Sequence, residues 1–334
     1  MKRQKRILAL IVGLLLLSTT ASAEMVQIRS YPFDKLDPSV IKIRDMDRYM
    51  MAPDRWKADS ELTRRTISYF DTAIAELKKT HDIPVYVYLV ETVCSHAFRD
   101  EIPWTFPADT EMYQMLKSSL HADAISHLEI SSAEQLFSYF YTTDMHWNYR
   151  GSYRGYLDCA QLLGIPEEER YVPTGEKTFP VIYNGALAKI RNTTISQEQF
   201  TVYTFDDFPD YTAYVNGKKK TYDHYSSYMA GKYESKKYTP HYDNFYGGNY
   251  SFVVLESQHT DAPDLLVIGN SFTNPVKTLL AHHYHRVVCV NLFQYKYDGR
   301  QFSLSKTVEE YGIDQILLLS DIKMYAFEEV KPRP

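Results

Sequence analysis

The chain of 334 residues contains three cysteines, Cys94, Cys159 and Cys289. They are few, odd in number and far apart, so they supply neither a disulfide framework nor a metal-ligand spacing. Cys159 falls on a helical apolar face and Cys289 inside an apolar strand, which predicts buried free thiols. Internal repeats and low-complexity tracts are absent, so the pattern gives no sign of a solenoid or a disordered array. Positive charge is also in short supply: 37 Lys and Arg against 42 Asp and Glu leave a net charge of −5. An acidic balance of this kind argues against a nucleic-acid partner.

No apolar run reaches the ~20 residues that a membrane-spanning helix needs. The run from Ile7 to Leu17 is preceded by Lys2, Arg3, Lys5 and Arg6 and followed by Ala21-Ser22-Ala23. That order of basic, apolar and small residues is the pattern of a secretory signal peptide, with an uncleaved anchor as the plainer alternative. No cysteine lies near the cleavage site, so a lipid anchor is not indicated. Residues 1–23 are expected to be removed, which moves the formal charge from −5 to −9, and residues 24–334 to form one exported α/β domain.

Tyrosine is the excess, with 29 residues, many of them between Tyr203 and Tyr250. Over Ser60–Lys79 the apolar residues Ile67, Phe70, Ile74 and Leu77 recur at helical spacing. Val85–Val90 is apolar at every position, as in a strand covered on both faces, so the mature chain is expected to open as a helix followed by a buried strand. Ser132-Ala133-Glu134-Gln135 has capping-box form, and a helix is expected from Tyr149 to Leu163, ended by Gly164. Asp264–Ile268 reads as a second buried strand, with a helix over 274–284, a strand Val287–Val290, a helix near Val308 and a strand Gln315–Leu319. This alternation implies a mostly parallel sheet flanked by helices. Residues 172–260 differ in character, with short alternating stretches around Asn216-Gly217, a hairpin signal. They are expected to form a tyrosine-rich β insertion outside the sheet.

Two segments carry chemistry. Gly269-Asn270-Ser271-Phe272 lies where a strand turns into a helix, so Ser271 would stand at the carboxyl edge of the sheet, where ligands bind in open α/β folds. A serine there is also an ordinary helix cap. Asp144-Met145-His146-Trp147 lies in a loop before a helix. Serine needs a neutral imidazole as base, and the imidazole needs a carboxylate to hold its tautomer. The plainer reading has Asp144 capping the helix and His146 merely packed. Gly247, Gly248 and Asn249 form a loop whose backbone is a candidate to donate to an oxyanion; a turn chosen for positive φ explains the glycines as well. Lys218-Lys219-Lys220 reads as a solvated hairpin tip. His282, His283 and His285 lack a partner acid or thiol at ligand spacing and read as a solvated helix end that favours cationic side chains. Neither metal nor cofactor is expected.

Phe140 to Gly151, with Asp144-Met145-His146-Trp147-Asn148 at its centre, resembles the Asp-x-His-Trp-Asn segment of the alginate O-acetylation proteins AlgX and AlgJ and of the bacterial DHHW proteins. Leu265 to Phe272 resembles their Gly-Asp-Ser-Phe nucleophile segment, in the same chain order. The resemblance covers these two motifs and a compatible element order over roughly residues 60–320, and it departs from the family at Asn270, where Asp is usual. It implies an SGNH-hydrolase-like α/β fold and a triad of Asp144, His146 and Ser271. It further implies an O-acetyltransferase or esterase acting on a cell-envelope or secreted polysaccharide, often beside a membrane-bound O-acyltransferase. The rival reading is a non-catalytic carbohydrate-binding protein on the same fold, with the tyrosines stacking on sugar rings. A weaker third reading is an export or assembly scaffold. The signal pattern predicts that the exported protein begins at Glu24; an intact mass that retains residues 1–23 would show an anchor instead.

Overall fold

The computed structural model describes residues 31–37, 40–44, 46, 48–51, 59–99, 102–191, 197–206, 211–220, 238, 240–326 and 331–333. The expected signal segment, residues 1–23, and much of the tyrosine-rich stretch, 221–237, lie outside the described residues.

Runs that are apolar at nearly every position bury both faces and form the interior of one sheet. Its eight strands lie in the order Lys218–Lys220, Tyr211–Val215, Phe252–Ser257, Arg286–Asn291, Asp264–Gly269, Gln315–Asp321, Val85–Val90 and Ala124–His127. The last five are mutually parallel. Val85–Val90 and Asp264–Gly269 thus share a sheet, as expected, with Gln315–Asp321 between them. The chain runs from Asp264–Gly269 to Arg286–Asn291 on one side and returns to Gln315–Asp321 on the other. The carboxyl end of Asp264–Gly269 therefore lies at a switch point of the sheet, where open α/β folds bind ligands.

Helices flank the sheet. Glu61–Thr80 buries Ile67, Phe70, Ile74 and Leu77, is capped by Ser60, and packs with Glu111–Ser119, Leu304–Tyr311 and Lys323–Ala326. Tyr149–Leu162 packs with Thr273–Leu280, the helix that follows Ser271. Gly164 (φ +77°) and the pair Asn216 (φ 48°) and Gly217 (φ 78°) take the left-handed conformations that a helix end and a two-residue hairpin turn require. Cys94, Cys159 and Cys289 are buried free thiols.

Three expectations need correction. Residues 172–260 do not all lie outside the sheet: Gly175–Ile182 and Gln199–Thr204 pair as a separate ribbon, but Tyr211–Val215, Lys218–Lys220 and Phe252–Ser257 extend the sheet as antiparallel strands. Phe252-Val253-Val254-Leu255 is buried throughout, the same signal as the parallel strands, set among tyrosines that obscure it. Among the described residues the chain also does not open on a helix. Phe33–Asp37, Val40–Ile43 and Arg48–Met51 form a small antiparallel sheet before it, strands too short for periodicity to reveal. Finally, the helix after Ser271 ends at Leu280, so His282 and His283 lie beyond it. They bond to the hydroxyls of Tyr171 and Tyr156, and burial lowers both pKa values, that of His283 to about 4. They are hydrogen-bond partners of tyrosine whose cationic forms burial disfavours, not a solvated helix end.

Gly269 marks the tightest approach beneath the switch point. A Cβ there would collide with the Leu319 carbonyl of the neighbouring strand and with Thr273. Because backbone cannot yield as a side chain does, Gly269→Ala is expected to destabilise the protein by about 1–3 kcal/mol or more, read as a lowered midpoint of thermal unfolding.

Candidate active site

The loop that carries Asp144 is held from several sides before any chemistry is considered. The buried Arg48 guanidinium donates to the carbonyls of Phe137, Phe140 and Tyr141. Glu198 accepts from the Thr142 amide at 2.7 Å, and burial raises its pKa to about 7. Asn148, not Asp144, caps the following helix, accepting from the amides of Arg150 and Gly151. Asp144 is therefore available for a different role.

Asp144 is buried and accepts four hydrogen bonds. His146 N (3.0 Å) and Nδ1 (2.6 Å) donate to Oδ1, while Tyr183 OH (2.9 Å) and Ala186 N (2.9 Å) donate to Oδ2. A carboxylate can only accept, so Nδ1 carries the imidazole proton and Nε2 is the lone-pair end. Ser271 Oγ donates to that nitrogen at 2.6 Å. Ser271, His146 and Asp144 thus stand in hydrogen-bond sequence at the switch point, with Ser271 partly exposed and the other two buried.

Burial alone would raise the Asp144 pKa, but the His146 imidazole and the amide donors hold it well below the usual carboxylate range. Burial pulls His146 down in turn, and the Asp144 charge and hydrogen bond outweigh it, so its pKa is raised. Tyr242 stacks on the imidazole with centroids 4.2 Å apart and planes 13° apart. Its hydroxyl donates to the Ser271 carbonyl at 3.0 Å and accepts from Trp147 Nε1 at 3.1 Å. Trp147 is fully buried beneath the helix, where Gly155 leaves room for its ring.

The turn around Ser271 is braced by Asn270, whose Nδ2 donates to Asp321 at 2.7 Å and whose Oδ1 accepts from Phe272 N at 3.1 Å. The sequence offers no local signal for Tyr183, Tyr242 or Asp321, since each meets the site across a long chain separation.

In the loop at 247–249, expected to offer oxyanion donors, the structure shows the following contacts. Gly247 (φ 88°) and Gly248 (φ 92°) serve a turn after the His241–Phe245 helix. The Gly248 amide already donates to the Asp243 carbonyl at 2.6 Å, and Asn249 Oδ1 accepts from Asn291 at 2.6 Å. The Gly248 amide is thereby committed within its own turn. Lys218 and Lys219 are exposed at the hairpin, whereas Lys220 lies over the Tyr250 ring. Clefts of about 480 and 570 Å³ lie around Tyr295, Arg300 and Phe302, away from Ser271, and a cavity of about 20 Å³ lies against Asp144 and Met145. Among the described residues no three His, Cys, Asp or Glu side chains are grouped to hold a metal ion.

These features define an α/β protein with a mostly parallel sheet flanked by helices that holds a serine, a histidine and an aspartate in sequence at the edge of that sheet. No family model matches the chain, and no curated protein matches it. Among solved structures it is similar to a DHHW family protein from Eubacterium siraeum, with a TM-score of 0.63 at 13% identity, over 88% of this chain and 94% of that one. It is also similar to Bacillus cereus PatB1 with a sulfonyl adduct, with a TM-score of 0.67 at 16% identity, over 90% of this chain and 100% of that one. A second PatB1 structure gives 0.63 at 16% identity, over 85% and 97%. At these identities the likeness is one of fold.

The two opposing influences on His146 make a prediction that needs no substrate. The imidazole should titrate above its ordinary value near ~6.5. In Asp144→Asn the attraction that raises it is lost and burial remains, so the midpoint should fall below that of the parent. Proton NMR of the His146 ring across pH checks both directions; an unchanged midpoint in Asp144→Asn would mean that the carboxylate does not govern the ring.

Proposed function

We propose that the protein is an exported serine acyl-ester enzyme, an O-acetyltransferase or esterase acting on a cell-envelope or secreted polysaccharide through an acyl-Ser271 intermediate. One observation carries the reading: the unbroken run of hydrogen bonds from Ser271 Oγ through His146 to Asp144. In this role the serine oxygen attacks the acyl carbon while its proton passes to His146 Nε2. The imidazolium, held by Asp144, returns that proton to the departing alkoxide as the tetrahedral centre collapses to acyl-Ser271. A sugar hydroxyl or water then gives its proton to His146 and attacks the acyl carbon, and His146 returns that proton to Ser271 Oγ as the acyl–serine bond breaks.

Acetyl transfer to a polysaccharide, and a membrane-bound O-acyltransferase as acyl supplier, are supported by the motif resemblance of the Asp144–Asn148 and Gly269–Phe272 segments. Export is supported by the N-terminal signal pattern; among the described residues no helix is long and apolar enough to cross a membrane. The bond from Ser271 to the imidazole weighs against the carbohydrate-binding alternative, since a binding module needs glycan contacts but no neutral base aimed at a hydroxyl.

The test is release of nitrophenolate from a nitrophenyl acetate. Ser271→Ala and His146→Ala are each expected to lower kcat by about 10⁴-fold or more, because members of such a triad act as a unit. Asp144→Asn is expected to fall steeply as well, and the parent rate should rise with pH as the raised His146 pKa is passed. Glycan binding by a parent protein that turns over no ester would establish the binding-module reading instead.

A further inference from the structure

Two donors at the turn from Ser271 into the following helix are uncommitted. The Ser271 amide donates to no group among the described residues. Asn274 Nδ2 is buried and also has no hydrogen-bond partner. A buried amide donor left without a partner costs about 1–3 kcal/mol, so its presence beside a reactive serine calls for a use.

Position and orientation both favour Asn274. It lies three residues after Ser271 in the first turn of the Thr273–Leu280 helix, and its backbone amide donates to the Ser271 carbonyl at 3.2 Å. Helical side chains tilt toward the helix N-terminus, the end at which Ser271 precedes the N-cap Phe272. Its carboxamide is also fixed against reversal. The Lys277 ammonium, which can only donate, holds Asn274 Oδ1 at 2.8 Å, and that leaves Nδ2 as the end turned away from the lysine.

Lys277 itself needs explanation, since it is 2% exposed and this amide oxygen is its hydrogen-bond acceptor. Burial lowers its pKa, with the charge of Asp243 opposing that shift. Burying an ammonium against a neutral partner is expensive for stability, and orienting the amide gives it a purpose.

We propose that Asn274 Nδ2 and the Ser271 amide are the donors that receive the oxyanion during acyl transfer, with Lys277 as the positioning residue that orients the Asn274 carboxamide. The inference rests on the acyl-transfer reading of Ser271 above. As Ser271 Oγ bonds to the acyl carbon, the carbonyl π pair moves onto oxygen, and two preorganised donors stabilise that charge where it forms. As the centre collapses, the pair returns to the carbonyl and the leaving oxygen departs with the proton from His146.

Asn274→Asp tests this with little change of shape: it preserves an acceptor for Lys277 and removes the donor. On nitrophenyl acetate its kcat is expected to fall by about 10²- to 10³-fold with KM within about threefold, the pattern of an interaction made only in the transition state. Asn274→Ala should behave alike. Lys277→Met is expected to lower kcat by about tenfold while its thermal midpoint stays level or rises, because a buried cation has been removed; a merely structural lysine would lower the midpoint and leave kcat alone. Asn274→Asp at the parental rate, with Ser271→Ala inactive, would overturn this assignment and leave the acyl-transfer reading standing. A parent protein without ester turnover would overturn both.

Discussion

A carboxylate buried away from water is tolerated only when its oxygens are satisfied, and Asp144 sets that condition for the whole site. Its four donors come from three places in the chain: the amide and ring of His146, the Tyr183 hydroxyl, and the Ala186 amide. Gly185 is part of the same arrangement, because a Cβ there would strike the carboxylate. The segment after the Gly175–Ile182 strand is thus drawn against the Asp144 loop by the need to solvate one charge. That charge in turn fixes the tautomer of His146 and so determines that Nε2 is the nitrogen able to accept from Ser271.

The imidazole is held in plane as well as in tautomer. Tyr242 covers one face of the ring while its hydroxyl bonds to the serine's own carbonyl, so one side chain sets the spacing between base and nucleophile. Trp147 supports Tyr242 through its indole N–H and fills the space under the helix that follows. A Cβ at Gly151 would collide with the Tyr139 carbonyl, and one at Gly155 would meet the Trp147 ring. The two glycines and the tryptophan form one packing unit, which ties the loop bearing Asp144 and His146 to the Tyr149–Leu162 helix. The geometry at Ser271 is therefore a product of aromatic packing as much as of hydrogen bonding.

What the sequence revealed follows from the range of the interactions involved. Val85–Val90, Asp264–Gly269 and Gln315–Asp321 are legible because burial on both faces writes itself into every residue of a strand. Asp144 and His146 are legible as a pair because they are two residues apart, and Ser271 because a strand-to-helix turn is local. Tyr183 meets Asp144 across 39 residues and Tyr242 meets Ser271 across 29; among so many tyrosines, nothing local distinguishes these two. Beyond the Ser271 amide, the sequence offers Gly247, Gly248 and Asn249 as oxyanion donors because glycine signals an open backbone, and the Gly248 amide is paired within its own turn. Asn274 looked like an ordinary residue of a first helical turn, and only the unpartnered amide in three dimensions draws notice to it.

Asn270 departs from the Gly-Asp-Ser-Phe pattern, and its surroundings give a physical reason. Its side chain faces the buried Asp321, whose pKa burial raises against the opposing pull of Lys323 and the Asn270 hydrogen bond. An aspartate at 270 would set two buried carboxylates against each other, and one would have to take up a proton to remain there. Asparagine supplies the donor without a proton. Its remaining oxygen can then accept from the Phe272 amide, closing the turn on either side of Ser271. The substitution therefore preserves the brace around the serine while Asp321 remains an acceptor. Its side chain bonds to Asp321 and the Phe272 amide and to neither His146 nor Asp144, so a change in the motif at this position leaves the hydrogen bonds to the base intact.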